Sequence, residues 1–518
     1  MTYESMRYTM KLLSRLLFSA LLAFVLTTAA AAQVTLPKIL SSHMVVQRDV
    51  PVHVWGLALP NEQVSVTFRG ETRTTTAGEL GRWSVYLKPG AAGGPLVMTV
   101  VGTAPAPGPQ AQPQTITLDD VLVGDVWVAS GQSNMGFELH DAATAAEDLP
   151  KAGIPDLRLL DVKQTATIFP QDDLEVRGDG WAASSPETAQ HFSAVAWYFA
   201  REIEQREHVP VGIINSSWGG TPVEAWTRMT ALGQNAGLMP LFADWGKMTE
   251  NEPDRILRAK EHQRQVEEAK AQGKPPVPDL GWGPQLESWG PGMLWNGMIA
   301  PITPFPIRGA IWYQGESNAS DERAPLYRNI FSTMIEDWRR QWGVGDFPFL
   351  FVQLANFNPG SNTGWPELRD QQLKTLALQN TGMAVTIDIG NPNDVHPTDK
   401  LDVGLRLSRW ARVLTYGEKI EDSGPLFREA VPEGPAIRAY FDHAKGLTAK
   451  GGAVTSVEVA GADGKFVPAT ATIDGETIVA SSPEVARPAA VRYGWASSPE
   501  CNLYNSDALP ASPFTSAP

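Results

Sequence analysis

The 518-residue sequence predicts an α/β core with a central parallel sheet, flanked at both ends by β-sandwich-like regions. Three observations carry this. Between about residues 119 and 417, apolar strand-like runs alternate with segments of helical period, as when strands are joined by crossover helices. Before and after that stretch, short alternating runs are split by Gly, Pro and Asn, with the hairpin signals "DGK" and "DGE" near the C-terminus. The chain is also longer than one hydrophobic core ordinarily organises, so several domains are expected.

Residues 1–32 read as a leader rather than as structure. Arg7, Lys11 and Arg15 precede the apolar run Leu16–Leu26, and small residues follow as far as Ala32. A basic start, a short apolar stretch and an A-x-A-like site predict a secretory signal peptide cleaved near Ala32. The apolar run is too short to span a bilayer. A periplasmic or secreted mature protein without membrane insertion is expected.

Residues 33–118 predict an N-terminal β-sandwich domain. "VPVHVWGLAL", "EQVSVTFRG", "TRTTTAG", "RWSVYLKP" and "LVMTVVG" alternate, and "GTAPAPGPQAQPQ" follows as a loop or semi-rigid spacer. The core, 119–417, opens with the strand "VLVGDVWVAS". Phe192, Val195, Phe199 and Ile203 then mark one helix face, and "VPVGIINSS" is the next strand. Residues from about 236 to 290 read as a helical insertion, charged over Asn251–Gln272. The strand "IRGAIWYQGES", a helix through Ile330–Trp342, the strand "FPFLFVQLANF", a helix near Glu367–Gln379 and the strand "MAVTIDIG" complete the core. Residues 418–518 form a C-terminal β region, either a second β domain or a completion of the first.

Composition narrows the function classes. Hydrophobic residues make up 43% and charged residues 19%, which is globular rather than disordered. A net charge of −15 is the wrong sign for a partner made of nucleic acid or anionic membrane. Cys501 is the single cysteine, so no intrachain disulfide forms, and "SPECNLYN" gives it no basic neighbour to act as a thiol nucleophile.

In a parallel α/β sheet, ligands bind beyond the carboxyl ends of the strands. Here those ends carry "SGQSN", "NSSWGGTPVEAW", "YQGESNAS", "QLANFN" and "DIGNPNDVHP". Acyl transfer needs a nucleophile, a base and oxyanion donors. Ser133 is the candidate nucleophile, although the elbow G-x-S-x-G is absent. His396 is the candidate base, because Asp394 lies two residues before it and Asp388 in the preceding strand. The candidate oxyanion donors are the Ser133 N–H, the N–H of Gly219 or Gly220, and the Gln314 amide. Gln132 and Asn134 flank the serine as candidate substrate contacts, with Glu316 and Asn318 beside them. Trp218 is a candidate sugar-stacking residue, as are Trp226, Trp312 and Trp365, although each also suits a core. A metal reading of Glu316, Asp388, Asp394 and His396 lacks any H-x-x-x-H or H-x-H spacing, so neither metal nor other cofactor is expected.

These blocks resemble the sialate O-acetylesterase family of the SGNH-hydrolase superfamily. The matching pieces are "GQSNM", "INSSWGGTPVEAW", "WNGMIAPI", "AIWYQGESNA", "TIDIGNPNDVHPTDK" and "AAVRYGWASSPECNLYNSDALPASPF", together with "LPKILSSHMVVQRDVPVHVWGLA" near the start. The resemblance implies an SGNH-type three-layer core. It implies Ser133 as nucleophile, His396 as base, Gly219 or Gly220 and Gln314 as oxyanion donors, and an acetylated carbohydrate as substrate. The superfamily's acid stands three residues before the histidine, a position held here by Asn393. Asp394, Asp388, Asp399 or a backbone carbonyl remain for that role, or the pair acts as a dyad. Arg323 is a candidate partner for a sialic acid carboxylate. The implied activity is hydrolysis of sugar acetyl esters through an acetyl-serine. An acetylxylan or other plant-oligosaccharide deacetylase, a general small-ester esterase and a non-catalytic carbohydrate-binding protein remain as alternatives.

Overall fold

The computed structural model describes residues 33–103, 113–280, 283–360 and 364–517. The leader-like segment 1–32 and residues 104–112 of the spacer lie outside them. The chain forms two compact units. Among the described residues, one takes in 33–37, His53–Lys88 and Leu96–Asp119; the other takes in Lys38–Val52, Pro89–Pro95 and the chain from Asp120 on.

The first unit is built of antiparallel strands. Gln63–Phe68 pairs with Glu71–Thr76 in a tight hairpin and with residues 98–103 on its other edge. Arg82–Leu87 alternates exposed and buried positions at every step, the period-2 pattern that its sequence "RWSVYL" predicts.

The second unit holds the central sheet. Its strands are β1 (Gln114–Gly131, in this unit from Asp120 on), β2 (Ile154–Asp161), β3 (Ala182–Ser184), β4 (Val211–Ser217), β5 (Gly309–Tyr313), β6 (Phe349–Val352) and β7 (Thr381–Ala384). The order across the sheet is β7-β6-β5-β1-β4-β2-β3. Every pair is parallel except β2 with the edge strand β3, which the sequence reading had not assigned. β1 sits in the middle. The chain builds one side of the sheet after it, through β2 to β4, and then crosses to the other side for β5 to β7. β1 therefore ends at a topological switch point, where loops leave in opposite directions and open a crevice.

Its principal helices are α1 (Ala194–Glu207), α2 (Met239–Ala271), α3 (Tyr327–Trp342), α4 (Trp365–Thr375) and α5 (Leu401–Leu414). Side-chain alternation shows that helices cover both faces of the sheet. Trp127 and Ser130 lie an odd number of residues apart on β1, so they face opposite ways. Trp312 is opposite Ser130 in register and shares its face. Trp127 meets Phe199 of α1 edge-on at 5.0 Å, whereas Trp312 meets Phe331 and Trp338 of α3 at 6.0 Å each. This double cover explains why β1 is buried at every position from Val121 to Gly131. Truncating one such buried tryptophan to alanine costs about 3–5 kcal/mol.

The insertion is the long helix α2, 33 residues with only Leu241 and Ala269 buried. Its exposed face carries near-neighbour ion pairs such as Arg264 with Glu261 and Glu268, which solvent screens.

Beyond α5, two four-stranded antiparallel sheets follow. One runs Leu426–Glu433, Ala436–Asp442, Thr477–Ser481, Thr470–Asp474; the other runs Phe466–Pro468, Val457–Ala460, Ala490–Tyr493, Phe514–Thr515. The "DGE" and "DGK" signals sit at hairpins of these sheets. Both sheets supply one hydrophobic core, including Ile437, Phe441, Val459, Ile478, Val491 and Phe514.

Candidate active site

β1 delivers Ser133 to the crevice. At the strand's last residue the chain must turn against β5, and only glycine fits there. Gly131 has φ +134°, and a Cβ on it would stand 2.2 Å from the Tyr313 carbonyl oxygen. The Gln132 N–H then donates to that carbonyl at 2.9 Å, and the Trp218 N–H donates to the Gly131 carbonyl at 3.0 Å. The ends of β1, β4 and β5 are thereby stitched together. Ser133 opens a single helical turn, Ser133–Gly136. The first N–H groups of such a turn have no acceptor within it.

His396 comes from the loop after β7. The Ser133 hydroxyl lies 2.8 Å from His396 Nε2 although 263 residues separate the two in sequence. Gly219 packs beside them: a Cβ on it would lie 3.3 Å from the Ser133 Cβ. Nucleophile, base and one glycine are thus in one place. Burial and the positive charge of Lys400 hold the His396 imidazole below the usual histidine range, with Asp394 pulling the other way.

The candidate acids divide cleanly. Asp394 Oδ1 accepts the His396 backbone N–H at 2.9 Å and stands 3.9 Å from Nδ1, outside hydrogen-bond range. Asp388 is bound in bidentate fashion by Arg406, at 2.6 and 2.9 Å. Asp399 accepts the Asp402 N–H at 3.1 Å, at the start of α5. None of the three makes the imidazole hydrogen bond expected of a triad acid.

Gln314 is not poised as an oxyanion donor. It is fully buried, and its two amide hydrogens go to the Thr221 carbonyl at 3.1 Å and to Asn318 Oδ1 at 2.7 Å. Its Oε1 accepts from the Tyr327 hydroxyl at 2.9 Å. Both donors are committed, so reaching an oxyanion would require giving one up. Asn318 is equally internal: it accepts the Val223 N–H at 3.0 Å and donates to Glu224 Oε2 at 3.0 Å. Arg323 pairs with Glu224 and lies over the Trp289 ring at 4.9 Å, so it is engaged within the protein instead of reaching toward a substrate. The sequence gives no sign of which way these side chains turn.

Asn134, Gln132 and Glu316 do gather at the centre. Gln132 Oε1 accepts the Ser317 N–H at 3.3 Å. Asn134 Nδ2 donates to Glu316 Oε1 at 2.6 Å and to the Val395 carbonyl at 2.9 Å, while its Oδ1 accepts from Lys400. The other Glu316 carboxylate oxygen is buried without a hydrogen-bond partner. Lys400 was missed in the sequence reading; the signal available was its place four residues after His396, in "HPTDK".

A cleft of about 320 Å³ opens beside Gly219, lined by Trp218, Gly219, Gly220, Gln285, Glu287, Ser288 and Trp289. Gly220 turns the chain there at φ +71°, and its carbonyl accepts from Trp289 Nε1 at 2.7 Å. Trp226, Trp312 and Trp365 are buried in the core instead.

Comparisons with known proteins agree with this geometry. A family profile described as a carbohydrate esterase, sialic acid-specific acetylesterase, matches residues 281–410, which include Gln314, Glu316, His396 and Lys400. The sialate O-acetylesterase of Rattus norvegicus is 30% identical over 524 residues, covering 92% of this chain and 93% of that protein. The Homo sapiens sialate O-acetylesterase is 30% identical over 520 residues, covering 92% and 91%. A crystal structure of a carbohydrate acetylesterase from Xanthomonas citri superposes with a TM-score of 0.79 at 40% identity, covering 94% of this chain and all of that one. Likeness that runs almost end to end, on a crevice where serine meets histidine, shows that this chain belongs to the sialate O-acetylesterase family of carbohydrate esterases.

Proposed function

We propose that the protein removes acetyl groups from sugar hydroxyls through an acetyl-Ser133 intermediate, sialic acid acetyl esters being the first substrate class. The observation that carries this is the 2.8 Å separation between the Ser133 hydroxyl and His396 Nε2 at the switch point of the sheet. His396 takes the hydroxyl proton as Ser133 attacks the ester carbonyl. The oxyanion is held by the N–H groups of Ser133 and Gly219, a donor pair of the kind whose single loss costs 10²–10³-fold in rate. Gln314 supports that hole from behind by fixing the Thr221 turn. The sugar alkoxide leaves with the proton from His396, and a water deprotonated by the same imidazole then releases acetate. With Asp394 on the main chain instead of on Nδ1, the pair works as a dyad.

The cleft next to Gly219 supplies room for the leaving sugar, and Trp218 a face to stack on. A neutral acetylated saccharide, such as a plant oligosaccharide, is the second reading. It is favoured by the engagement of Arg323 with Glu224 and by Glu287 on the cleft wall, both poor receptors for a sugar carboxylate.

The strand order and the helices on both faces support an SGNH-type three-layer core over 119–417, with β domains over 33–118 and 418–518. The leader-like residues up to Ala32 support a periplasmic or secreted location.

Acetate release from a panel of acetylated sialosides and plant oligosaccharides tests the substrate class, with Ser133→Ala as control. The substitution is expected to lower kcat by at least about 10⁴-fold. Equal rates for wild type and variant would remove Ser133 from the chemistry. Turnover of plant saccharides alone would select the second reading.

A further inference from the structure

One side-chain amide connects the two halves of the dyad. Asn134 follows the nucleophile directly. Its Nδ2 binds the carbonyl of Val395, the residue before the base, at 2.9 Å. The same amide stands between a buried lysine and a partly buried carboxylate, accepting from Lys400 and donating to Glu316 at 2.6 Å. Lys400 is fully buried at 0% exposure, with its Nζ 4.6 Å from the Phe137 ring centroid and 5.4 Å from that of Tyr313. The acceptor of that ammonium is Asn134 Oδ1, and the two ring faces attract its charge.

His396, by contrast, has no acid on Nδ1. Its loop is held through the main chain on both sides. Asp394 accepts the His396 N–H, and Asn134 binds the carbonyl just before it. From this geometry we propose that Lys400 is a positioning residue, which acts through Asn134 to fix the His396 loop against Ser133. The proposal rests on the Ser133–His396 reading above and adds to it the device that stands where a triad acid would.

The surrounding charges are consistent with this role. The ionisable groups facing Lys400 are Glu316, Asp394, Asp399 and His396. Burial pushes the Lys400 ammonium down to about 7, against the pull of the three carboxylates. Burial raises the Glu316 carboxyl, and Lys400 opposes that shift. A cation near His396 lowers the imidazole's affinity for a proton, so removing the cation must raise it.

The test follows kcat and KM for p-nitrophenyl acetate against pH in wild type, Lys400→Met and Lys400→Gln, after subtracting the rate of Ser133→Ala. Lys400→Met is expected to lower kcat about 10²-fold with KM little changed, because a displaced dyad loses rate without losing binding. Its acid limb in kcat/KM is expected to move to higher pH. Lys400→Gln restores a donor to Asn134 without the charge. It is expected to recover kcat to within about tenfold of wild type, while its acid limb stays high. Wild-type kcat and an unmoved acid limb in Lys400→Met would overturn the proposal. So would a loss of kcat in both variants with no pH shift, since that is the mark of packing alone. If Lys400→Met does not fold, an unmoved acid limb in Lys400→Gln overturns it. A Ser133→Ala protein as active as wild type would instead sink the dyad reading.

Discussion

Strand β1 carries buried polar clusters built to opposite rules where it enters and where it leaves the parallel sheet. Where it enters, Asp125 is fully buried and hydrogen-bonded on both carboxylate oxygens. It accepts from Gln47 at 3.0 Å, from Arg48 Nε and Nη2 at 2.9 Å each, and from the Tyr416 hydroxyl at 2.9 Å, with Arg308 3.2 Å away. At the carboxyl end, Lys400 and Asn134 are just as deep and Glu316 is partly buried, but one Glu316 oxygen goes without a partner and the lysine is held well below its ordinary range. A buried charge costs free energy unless its hydrogen bonds are complete. The Asp125 carboxylate meets that condition and ties segments remote in sequence to the sheet. The second cluster falls short of it at the place where serine and histidine meet. A buried carboxylate oxygen without a hydrogen-bond partner also occurs at Glu62; what sets the carboxyl-end cluster apart is that it joins a buried lysine, an amide and a carboxylate where serine and histidine meet.

Asp125→Ala leaves two arginines and a tyrosine facing an uncompensated interior. We expect a loss of about 3–5 kcal/mol in unfolding free energy, read by denaturant titration, with kcat per folded molecule unchanged. Asn134→Ala at the other end should do the reverse. Its kcat should fall about 10²-fold, equivalent to about 2.7 kcal/mol in the barrier, with a stability loss smaller than that at Asp125. If Asn134→Ala proves the more destabilising of the two and leaves kcat intact, the carboxyl-end cluster is structural and the distinction collapses.

How much of this was legible in the sequence follows from range. The strands of the core were readable because burial on both faces forces continuous apolar runs, as in Val121–Ala129 and Val211–Ile214. The convergence of Ser133 and His396 was readable too, since both follow such runs and strand ends of one parallel sheet share an edge. Side-chain direction was not. Gln314 looks like a free amide after a strand, yet Thr221 and Asn318 claim its hydrogens, and both sit on turns whose shape no local pattern gives. Arg323 failed for the same reason, because its partner Glu224 lies 99 residues away. Lys400 had no periodicity to mark it, since a lone lysine before a helix is ordinarily an exposed residue. The short edge strand Ala182–Ser184 carries too few residues for any alternation to register.

A smaller effect sharpens the comparison from the carboxyl edge itself. Asp161 ends β2 beside Asn215, whose Nδ2 donates to it at 2.8 Å, and Arg177 stands 3.5 Å off. Burial pushes its carboxyl up to about 6, against those partners and with Glu138 adding to the rise. A carboxyl that binds its proton more tightly when folded than when unfolded destabilises the fold once ionised. Between the unfolded value near 3.8 and about 6 the native state holds more protons, so stability falls as pH rises, and the penalty is complete above that window. Asp161→Asn keeps an acceptor for Asn215 and removes the charge. Above pH 7 it should stabilise the protein by about 1–2 kcal/mol, with the loss of the Arg177 attraction trimming the gain, and near pH 4 the difference should vanish. Thermal melts of the two proteins across pH 4 to 8 measure this directly. A variant less stable than wild type at pH 7.5 would mean that Asp161 is held as firmly as Asp125, and that the two ends of the sheet obey one rule after all.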